Sequence, residues 1–446
     1  MDIRTQTFLV LGVSKSGYAA AEYILKRGGR CYFYEQLKSL KIDTAAQKII
    51  ELGGLRVSDE NVNEILSLID VLLLSPGVPI NHQIAIAAKQ LGKRIIGELE
   101  FGWLQFLPTA VAITGTNGKT TTATLIDAIL NESERKSCLA GNVGTPLTLK
   151  VNEKSNDKVF VVEVSSFQLE SVYSFCPHVS CVLNISPDHL ERHYTMDNYV
   201  YLKKRIYKNQ RESEYTVLNY DDEVVRGFYQ EIKAKVVWVS LSQRVDGAYR
   251  ENGKLYCFGE YIIDEDKLKL KGDHNVYDTL FAIAVARLLG VSVEIIQKSL
   301  AEFKGVKHRM ETVCVKNGVT YYNDSKATNT ASTISALEVV GGNTVLILGG
   351  SEKGEDYGKL FEKINQLQIK QVVITGASRF NMLEAAGKVG FFETTVTSKF
   401  DDAVRIASFI ARNGENVLLS PACASFDSFS GYEERGERFI KLVEEL

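Results

Sequence analysis

The sequence is poor in proline and tryptophan and carries no surplus of either charge. Its 446 residues hold 7 Pro and 2 Trp, and 52 Lys and Arg stand against 55 Asp and Glu, a formal net charge of −3. So little proline leaves no Pro-rich linker to mark a boundary. The balanced charge excludes nucleic acid as a bulk partner, because a phosphate backbone selects clustered Lys and Arg; any polyanionic ligand has to be met locally. No apolar run approaches the ~18 residues of a spanning helix, which argues against membrane insertion. The start, Met1 to Val13, carries Asp2 and only a short apolar run from Phe8, less than a secretory signal needs, so the sequence predicts a cytoplasmic protein. No Cys-x-x-Cys pair occurs among Cys31, Cys138, Cys176, Cys181, Cys257, Cys314 and Cys423. An odd number without metal-ligand spacing predicts reduced, packed thiols in place of disulfides or a zinc site.

What is present is an ordinary globular composition, 45% hydrophobic and 24% charged, in a chain long enough for roughly two to four domains. Three stretches alternate short β-branched runs with amphipathic segments, the pattern of strands joined by crossover helices. The first has strand-like Phe8 to Val13, Cys31 to Tyr34 and Val71 to Ser75, with a helical pattern from Tyr18 to Lys26. The second opens with Ala110 to Thr114, continues through Val159 to Val164 and Val179 to Asn184, and closes with helices at Val276 to Leu289 and ending near Phe303. The third has strands at Val345 to Leu348, Gln371 to Thr375 and Val417 to Ser420. The reading is an α/β protein of three domains, 1–107, 108–304 and 305–446. Asn252-Gly253, between Ala248 to Arg250 and Leu255 to Phe258, predicts a peripheral hairpin, since Asn-Gly accepts the positive φ angles of a tight turn.

The strongest chemical signal is Gly115-Thr116-Asn117-Gly118-Lys119-Thr120, which follows a strand and opens an apolar-periodic segment. Strand, Gly-rich loop and helix start together aim backbone N–H groups at phosphate; Lys119 adds a positive charge and Thr120 a hydroxyl for Mg²⁺. Ile113 stands where the generic loop has its first Gly, so the match is to a variant. Gly12 to Gly17 (GVSKSG) is not a dinucleotide fingerprint, because Ser14 holds the middle Gly position and Glu35 alone is weak support. Ser14, Lys15 and Ser16 still supply donors near a helix start. Glu163 and His189 each follow a buried-looking strand, where α/β sheets place ligands, and each reads equally as a capping residue. Lys203, Lys204 and Arg205 lie on a predicted helix from Tyr199 to Lys208, where pattern alone describes a solvated face.

The phosphate loop, GNVGTP from Gly141, VEVSSFQLE, NISPDHLERH, GDHN from Gly272, HRMETV from His308, NDSKATN from Asn323, LGGSEKGED from Leu348 and SPACASFDSFSGYEERG from Ser420 resemble the bacterial Mur ligases in order and spacing, over essentially the whole chain. The Asp-Asn-Pro-Arg string of the diaminopimelate-adding branch is absent, which points to the branch that adds D-glutamate. The resemblance implies a Rossmann-like N-terminal domain holding a UDP-sugar, a central phosphate-loop domain holding ATP on a parallel sheet, and a Rossmann-like C-terminal domain bringing the amino acid. The implied reaction joins D-glutamate to UDP-N-acetylmuramoyl-L-alanine in peptidoglycan precursor synthesis.

The resemblance also distributes roles. Gly115 to Thr121, Asn275, Arg309, Asp324 and Lys326 would contact the nucleotide, with Lys119 and Arg309 stabilising transferred charge. Ser14, Lys15, Ser16, Gly77, Asn142, Ser165 and His189 would face the UDP-sugar. Thr328, Lys353, Ser425 and Tyr432 would seat D-glutamate. Thr120 and Glu163 would hold one Mg²⁺, and His189 with a carbamylated Lys203 would help hold a second; Lys204 is the register alternative. Crowding by Lys204 and Arg205 is the expected cause of a lowered Lys203 pKa. Two departures stand out: Tyr34-Glu35-Gln36-Leu37 replaces the family's Asp-Thr-Arg strand end, and Tyr432 replaces a common Phe. Two rival readings remain at this point, a Mur-type ligase adding another amino acid and a nucleotide-binding relative without chemistry.

Overall fold

The computed structural model describes the chain except residues 38–39, 107–108, 143, 152–157, 304 and 353–355. The described chain forms two compact units, Met1–Leu268 with Asn275–Phe303, and Lys269–His274 with Lys304–Leu446. The expected boundaries at 107–108 and 304 lie outside the described residues.

The first unit carries two sheets. In the first sheet β1 (Thr7–Leu11), β2 (Arg30–Tyr34), β3 (Leu55–Arg56), β4 (Val71–Leu74) and β5 (Arg94–Gly97) are ordered β3-β2-β1-β4-β5, all parallel. In the second, β6 (Ala110–Thr114), β7 (Ser137–Gly141), β8 (Val159–Glu163), β9 (Val179–Val182), β10 (Tyr215–Asn219), β11 (Lys235–Ser240), β12 (Gly247–Glu251), β13 (Lys254–Cys257) and β14 (Glu260–Asp264) follow the order β14-β13-β12-β11-β10-β9-β6-β8-β7. Strands such as β6 and β8 are buried at every position, which is why they read as continuous β-branched runs without alternation. The helix Asp273–Leu288 is likewise enclosed from Leu280 through Ala286 and is apolar all round for that reason. The order reverses at β1, between β2 and β4, and at β6, between β8 and β9. Such switch points open a crevice at the carboxyl ends of the strands, and both glycine-rich turns sit there.

The second unit holds β15 (Glu311–Lys316), β16 (Val319–Asn323), β17 (Thr344–Gly349), β18 (Gln371–Thr375), β19 (Thr394–Val396) and β20 (Asn416–Leu419) in the order β15-β16-β20-β17-β18-β19. Only the β15 hairpin is antiparallel. The expected α/β class is the one observed, with sheets that are mostly parallel; in the second sheet the β12–β13 and β13–β14 pairs are antiparallel.

Local departures from the sequence reading have local causes. The first strand stops at Leu11 because Gly12 turns at φ 83° and the Val13 N–H donates to a Glu35 carboxylate oxygen at 2.8 Å instead of to a neighbouring strand. The hairpin forms where expected, with Asn252 at φ 50° and Gly253 at φ 70°, at the β14 end of its sheet. The helix expected at 199–208 spans Met196–Lys204. Thr195 starts it by accepting the Asn198 N–H at 3.2 Å, and the residues beyond Lys204 tighten into three-residue turns in which Tyr207 and Lys208 bond back to Lys204 and Arg205. No described helix is long and apolar enough to cross a membrane.

Candidate active site

At the end of β6, Thr114 donates its hydroxyl to the Val164 carbonyl at 2.8 Å, and the chain turns through Gly115 to Gly118. Gly118 is the N-cap of the helix Lys119–Glu132 at φ 86°, and a Cβ there would lie 2.2 Å from an Asp278 carboxylate oxygen; glycine alone fits both constraints. The Lys119 ammonium folds back over the loop and donates to the carbonyls of Gly115 (2.9 Å) and Thr116 (2.7 Å). Thr120 Oγ1 donates to Glu163 Oε2 at 2.7 Å, and the Asn142 amide donates to Oε1 at 2.9 Å. Both oxygens of Glu163, buried at the end of β8, are thereby engaged.

Lys203 is not a solvated lysine. Only 1% exposed, it donates to the Gly115 carbonyl at 2.7 Å and approaches Thr114 Oγ1 at 3.4 Å, with its ammonium 4.7 Å from the Tyr199 ring centroid. Two lysine nitrogens therefore converge on one loop carbonyl. Burial holds the Lys203 pKa well below the ordinary lysine range and the Lys119 charge adds to this, while Asp188 and Glu163 oppose it. That corrects the expected cause. Lys204 pairs with Glu231 at 2.7 Å, and Arg205 donates to the carbonyls of Glu170 (2.9 Å) and Val172, so neither supplies the crowding.

His189 adopts φ 54° at the start of the short helix Leu190–His193. Its imidazole lies 3.6 Å from Asp188 and 3.5 Å from Glu191, and 4.8 Å from the Phe167 ring centroid. Among the described residues no hydrogen bond joins it to the Lys119, Thr120, Glu163, Asn142 and Lys203 network. Ser165 spends its side chain on a capping box with Gln168. Thr121 and Asn275 are buried, the latter with its carbonyl accepting from Thr279 at 2.8 Å.

In the first sheet Ser14 is the N-cap of the helix Lys15–Lys26, without a side-chain capping bond; Ser16 lies in that helix's first turn, and Lys15 donates to the Gly144 carbonyl. The Gly77 carbonyl accepts from Arg192 at 3.2 Å. Glu35, weak as a cofactor ligand in the sequence, takes the N–H groups of Val13 and Leu37, each at 2.8 Å. The departing segment lines a cavity of about 720 Å³ with Tyr34, Gln36, Asp59, Asn63, Asn81 and His82.

In the second unit Asp324 is buried and accepts from Ser420 Oγ at 2.7 Å and the Met310 N–H at 3.2 Å. Burial raises its pKa to about 6 against the opposing pull of Arg309. Lys326 donates to the Tyr432 hydroxyl at 3.0 Å, which ties a residue expected at the nucleotide to one expected at the amino acid. Ser425 is buried and Thr328 half-buried; Lys353 lies outside the described residues. Residues 113–286 match the Mur ligase middle domain and residues 308–423 match the Mur ligase, glutamate ligase domain. The chain belongs to the Mur ligase family.

Curated relatives agree along the full length. The UDP-N-acetylmuramoylalanine–D-glutamate ligase of Caldanaerobacter subterraneus is 37% identical with all of both chains covered, and that of Clostridioides difficile is 35% identical, again with all of both chains covered. Mur ligases are ATP-dependent and form amide bonds, and this chain is an enzyme of that class. Among solved structures, UDP-N-acetylmuramate–alanine ligase MurC of Thermotoga maritima superposes with a TM-score of 0.61 at 18% identity, 99% of each chain covered. MurF ligase from the same organism, solved in complex with ADP, gives 0.62 at 16% identity, covering 100% of this chain and 99% of that one. These last two share the fold.

Sequence reasoning missed three side chains of this Mur ligase. Arg435 is 2% exposed and donates to the carbonyls of Ser325 (2.8 Å) and Cys423 (2.9 Å), fixing the two motif loops after β16 and β20. Tyr199 packs under Lys203 and shares a 3.1 Å hydrogen bond with Thr116. Arg192 bridges the two sheets of the first unit. Arg192 and Arg435 lie in quoted motifs, but spacing carries no mark that separates a buried guanidinium from a solvated one, and Tyr199 reads only as the start of a predicted helix.

Proposed function

We propose that this enzyme joins D-glutamate to UDP-N-acetylmuramoyl-L-alanine, consuming ATP, in cytoplasmic peptidoglycan precursor synthesis. The observation that carries the chemistry is Thr120 hydrogen-bonded to Glu163 behind a lysine-bearing phosphate loop; the amino acid follows from the full-length relatives, all D-glutamate ligases by name. In this reading residues 1–107 hold the UDP-sugar through Ser14, Lys15, Ser16 and Gly77, residues 108–304 hold ATP and turn Asn142, Ser165 and His189 toward the UDP-sugar, and residues 305–446 seat D-glutamate through Thr328, Lys353, Ser425 and Tyr432. Asn275, Arg309, Asp324 and Lys326 contact the nucleotide.

The carboxylate of UDP-N-acetylmuramoyl-L-alanine attacks the γ-phosphorus of ATP in line and ADP leaves; the D-glutamate amine then attacks the carbonyl carbon of the resulting acyl phosphate, forming the amide as phosphate leaves and the amine loses a proton. Lys119 neutralises charge on the transferring group, where positioning and electrostatics dominate. Thr120 and Glu163 offer hard oxygen donors, the chemistry Mg²⁺ selects, and they would hold it beside the loop. His189 and Lys203 would hold a second ion. Mg²⁺ when bound supplies further neutralisation of phosphate charge. Lys203 suits carbamylation because burial against the Gly115 carbonyl lowers its pKa, which favours the neutral amine that attacks carbon dioxide. Phosphate release measured with UDP-N-acetylmuramoyl-L-alanine and a panel of amino acids tests the reading. D-glutamate should exceed L-glutamate and D-aspartate by up to ~10⁴-fold, and equal kcat/KM values would overturn it.

A further inference from the structure

Arg192 stands three residues beyond His189, yet its guanidinium works on the other sheet of the same unit. It forms a two-pronged pair with Glu170, Nε to Oε1 at 3.0 Å and Nη2 to Oε2 at 2.6 Å. Toward the turn after β4, Nη1 donates to the Gly77 carbonyl at 3.2 Å, and the second N–H of Nη2 is shared between the carbonyls of Val78 at 3.2 Å and Pro76 at 3.5 Å. Glu170 is fixed in turn, because Arg205 donates to its carbonyl at 2.9 Å. The Arg192 guanidinium carbon also lies 4.8 Å from the centroid of the Phe167 ring, the ring that contacts His189.

The held turn supports the first glycine-rich loop. Ser75, just before it, donates its hydroxyl to the Gly12 carbonyl at 2.7 Å, and a Cβ on Gly12 would come within 2.9 Å of Val78. One planar, five-donor group thus spans from the His189 segment to the loop carrying Ser14, Lys15 and Ser16. A guanidinium fits that geometry and an ammonium does not, since the fork engages a carboxylate on one edge and carbonyls on the other.

We propose that Arg192, clamped by Glu170, is a positioning residue for the sugar nucleotide: it sets the distance between the Gly77 and Ser14–Ser16 turns and the His189 segment. The proposal rests on the reading that residues 1–107 hold the UDP-sugar. It predicts a selective kinetic effect, because the phosphate loop and Glu163 are fixed by other bonds.

The test compares wild type with Arg192→Lys, Arg192→Ala and Glu170→Gln in the full chain, measuring KM for each substrate, kcat, and binding of UDP-N-acetylmuramoyl-L-alanine and of ADP by calorimetry. The expected result is a KM and Kd for the sugar nucleotide raised about tenfold or more, with the KM for ATP and the Kd for ADP within about twofold of wild type. Arg192→Lys should recover only part of the loss. An unchanged sugar-nucleotide Kd in folded Arg192→Lys and Glu170→Gln overturns the proposal, as does an equal rise for both nucleotides. Should Arg192→Ala fail to fold, those two milder variants give the same readout. Wild type that binds ADP but not the sugar nucleotide overturns the underlying reading as well, which separates the two failures.

Discussion

The first unit contains two turns of the same local design, strand then glycines then helix, and they are wired with opposite charge. The turn after β1 is pinned by an anion: Glu35 accepts from the Val13 N–H. The turn after β6 is pinned by lysines, with the Lys119 ammonium and the buried Lys203 amine both donating to the Gly115 carbonyl. A carboxylate spent on a backbone N–H lowers a turn's attraction for a highly charged phosphate, while the Lys119 ammonium raises it. The charge that migrates during phosphoryl transfer therefore belongs at the second turn. Similar sequence patterns diverged in chemistry through what a distant residue brings to the loop, Glu35 from the segment after β2 in one case and Lys203 from the helix Met196–Lys204 in the other.

The largest expected effect tests that division directly. Lys119→Ala should reduce phosphate release by about 10³-fold or more, the scale of removing a preorganised charge from a transition state, with circular dichroism unchanged. Near-normal turnover would break the comparison. Next, Lys203→Ala should cost about 10²-fold, and acetate should restore part of it by supplying oxygens in the vacated space. Acetate should not rescue Lys119→Ala, whose missing group is a cation. Lys204→Ala, whose partner is Glu231, is the control and should keep wild-type activity.

The first turn should answer in stability. Gly17→Ala places a Cβ 1.8 Å from the Gly12 carbonyl oxygen, a backbone clash that should cost about 1–3 kcal/mol, read as a lowered Tm. The smallest effect is expected from Glu35→Gln. The Val13 and Leu37 N–H groups use different carboxylate oxygens, and an amide replaces one of them with a donor, so unfolding should become easier by about 1 kcal/mol while kcat for phosphate release stays within about twofold. A kcat loss as large as that of Lys203→Ala would show that the first turn also meets the transferring charge.

Much of the fold was legible because its signals are local. The strands Ala110–Thr114 and Gln371–Thr375 coincide with their apolar runs, and Asn252-Gly253 declares its own turn through backbone preference. Lys119 and Thr120 were legible for the same reason, since glycine spacing, a lysine and a helix start lie within one short segment. Lys203 was different. Between Leu202 and Lys204 nothing marks it as buried, and its exposed-looking cluster hides that one lysine turns inward while its neighbours take Glu231 and backbone carbonyls.

The sequence by itself therefore determined the α/β architecture, the phosphate loop and the family, each a matter of local periodicity or of motif order. Only the tertiary structure decided which charges do the work. Burial put the Lys203 amine against Gly115, and tertiary contacts brought Glu35 to the turn after β1 and set Arg192 across the two sheets. Those outcomes depend on desolvation and on contacts between residues as much as 116 positions apart, as Arg192 and Pro76 are. Neither quantity is written in any window of the chain.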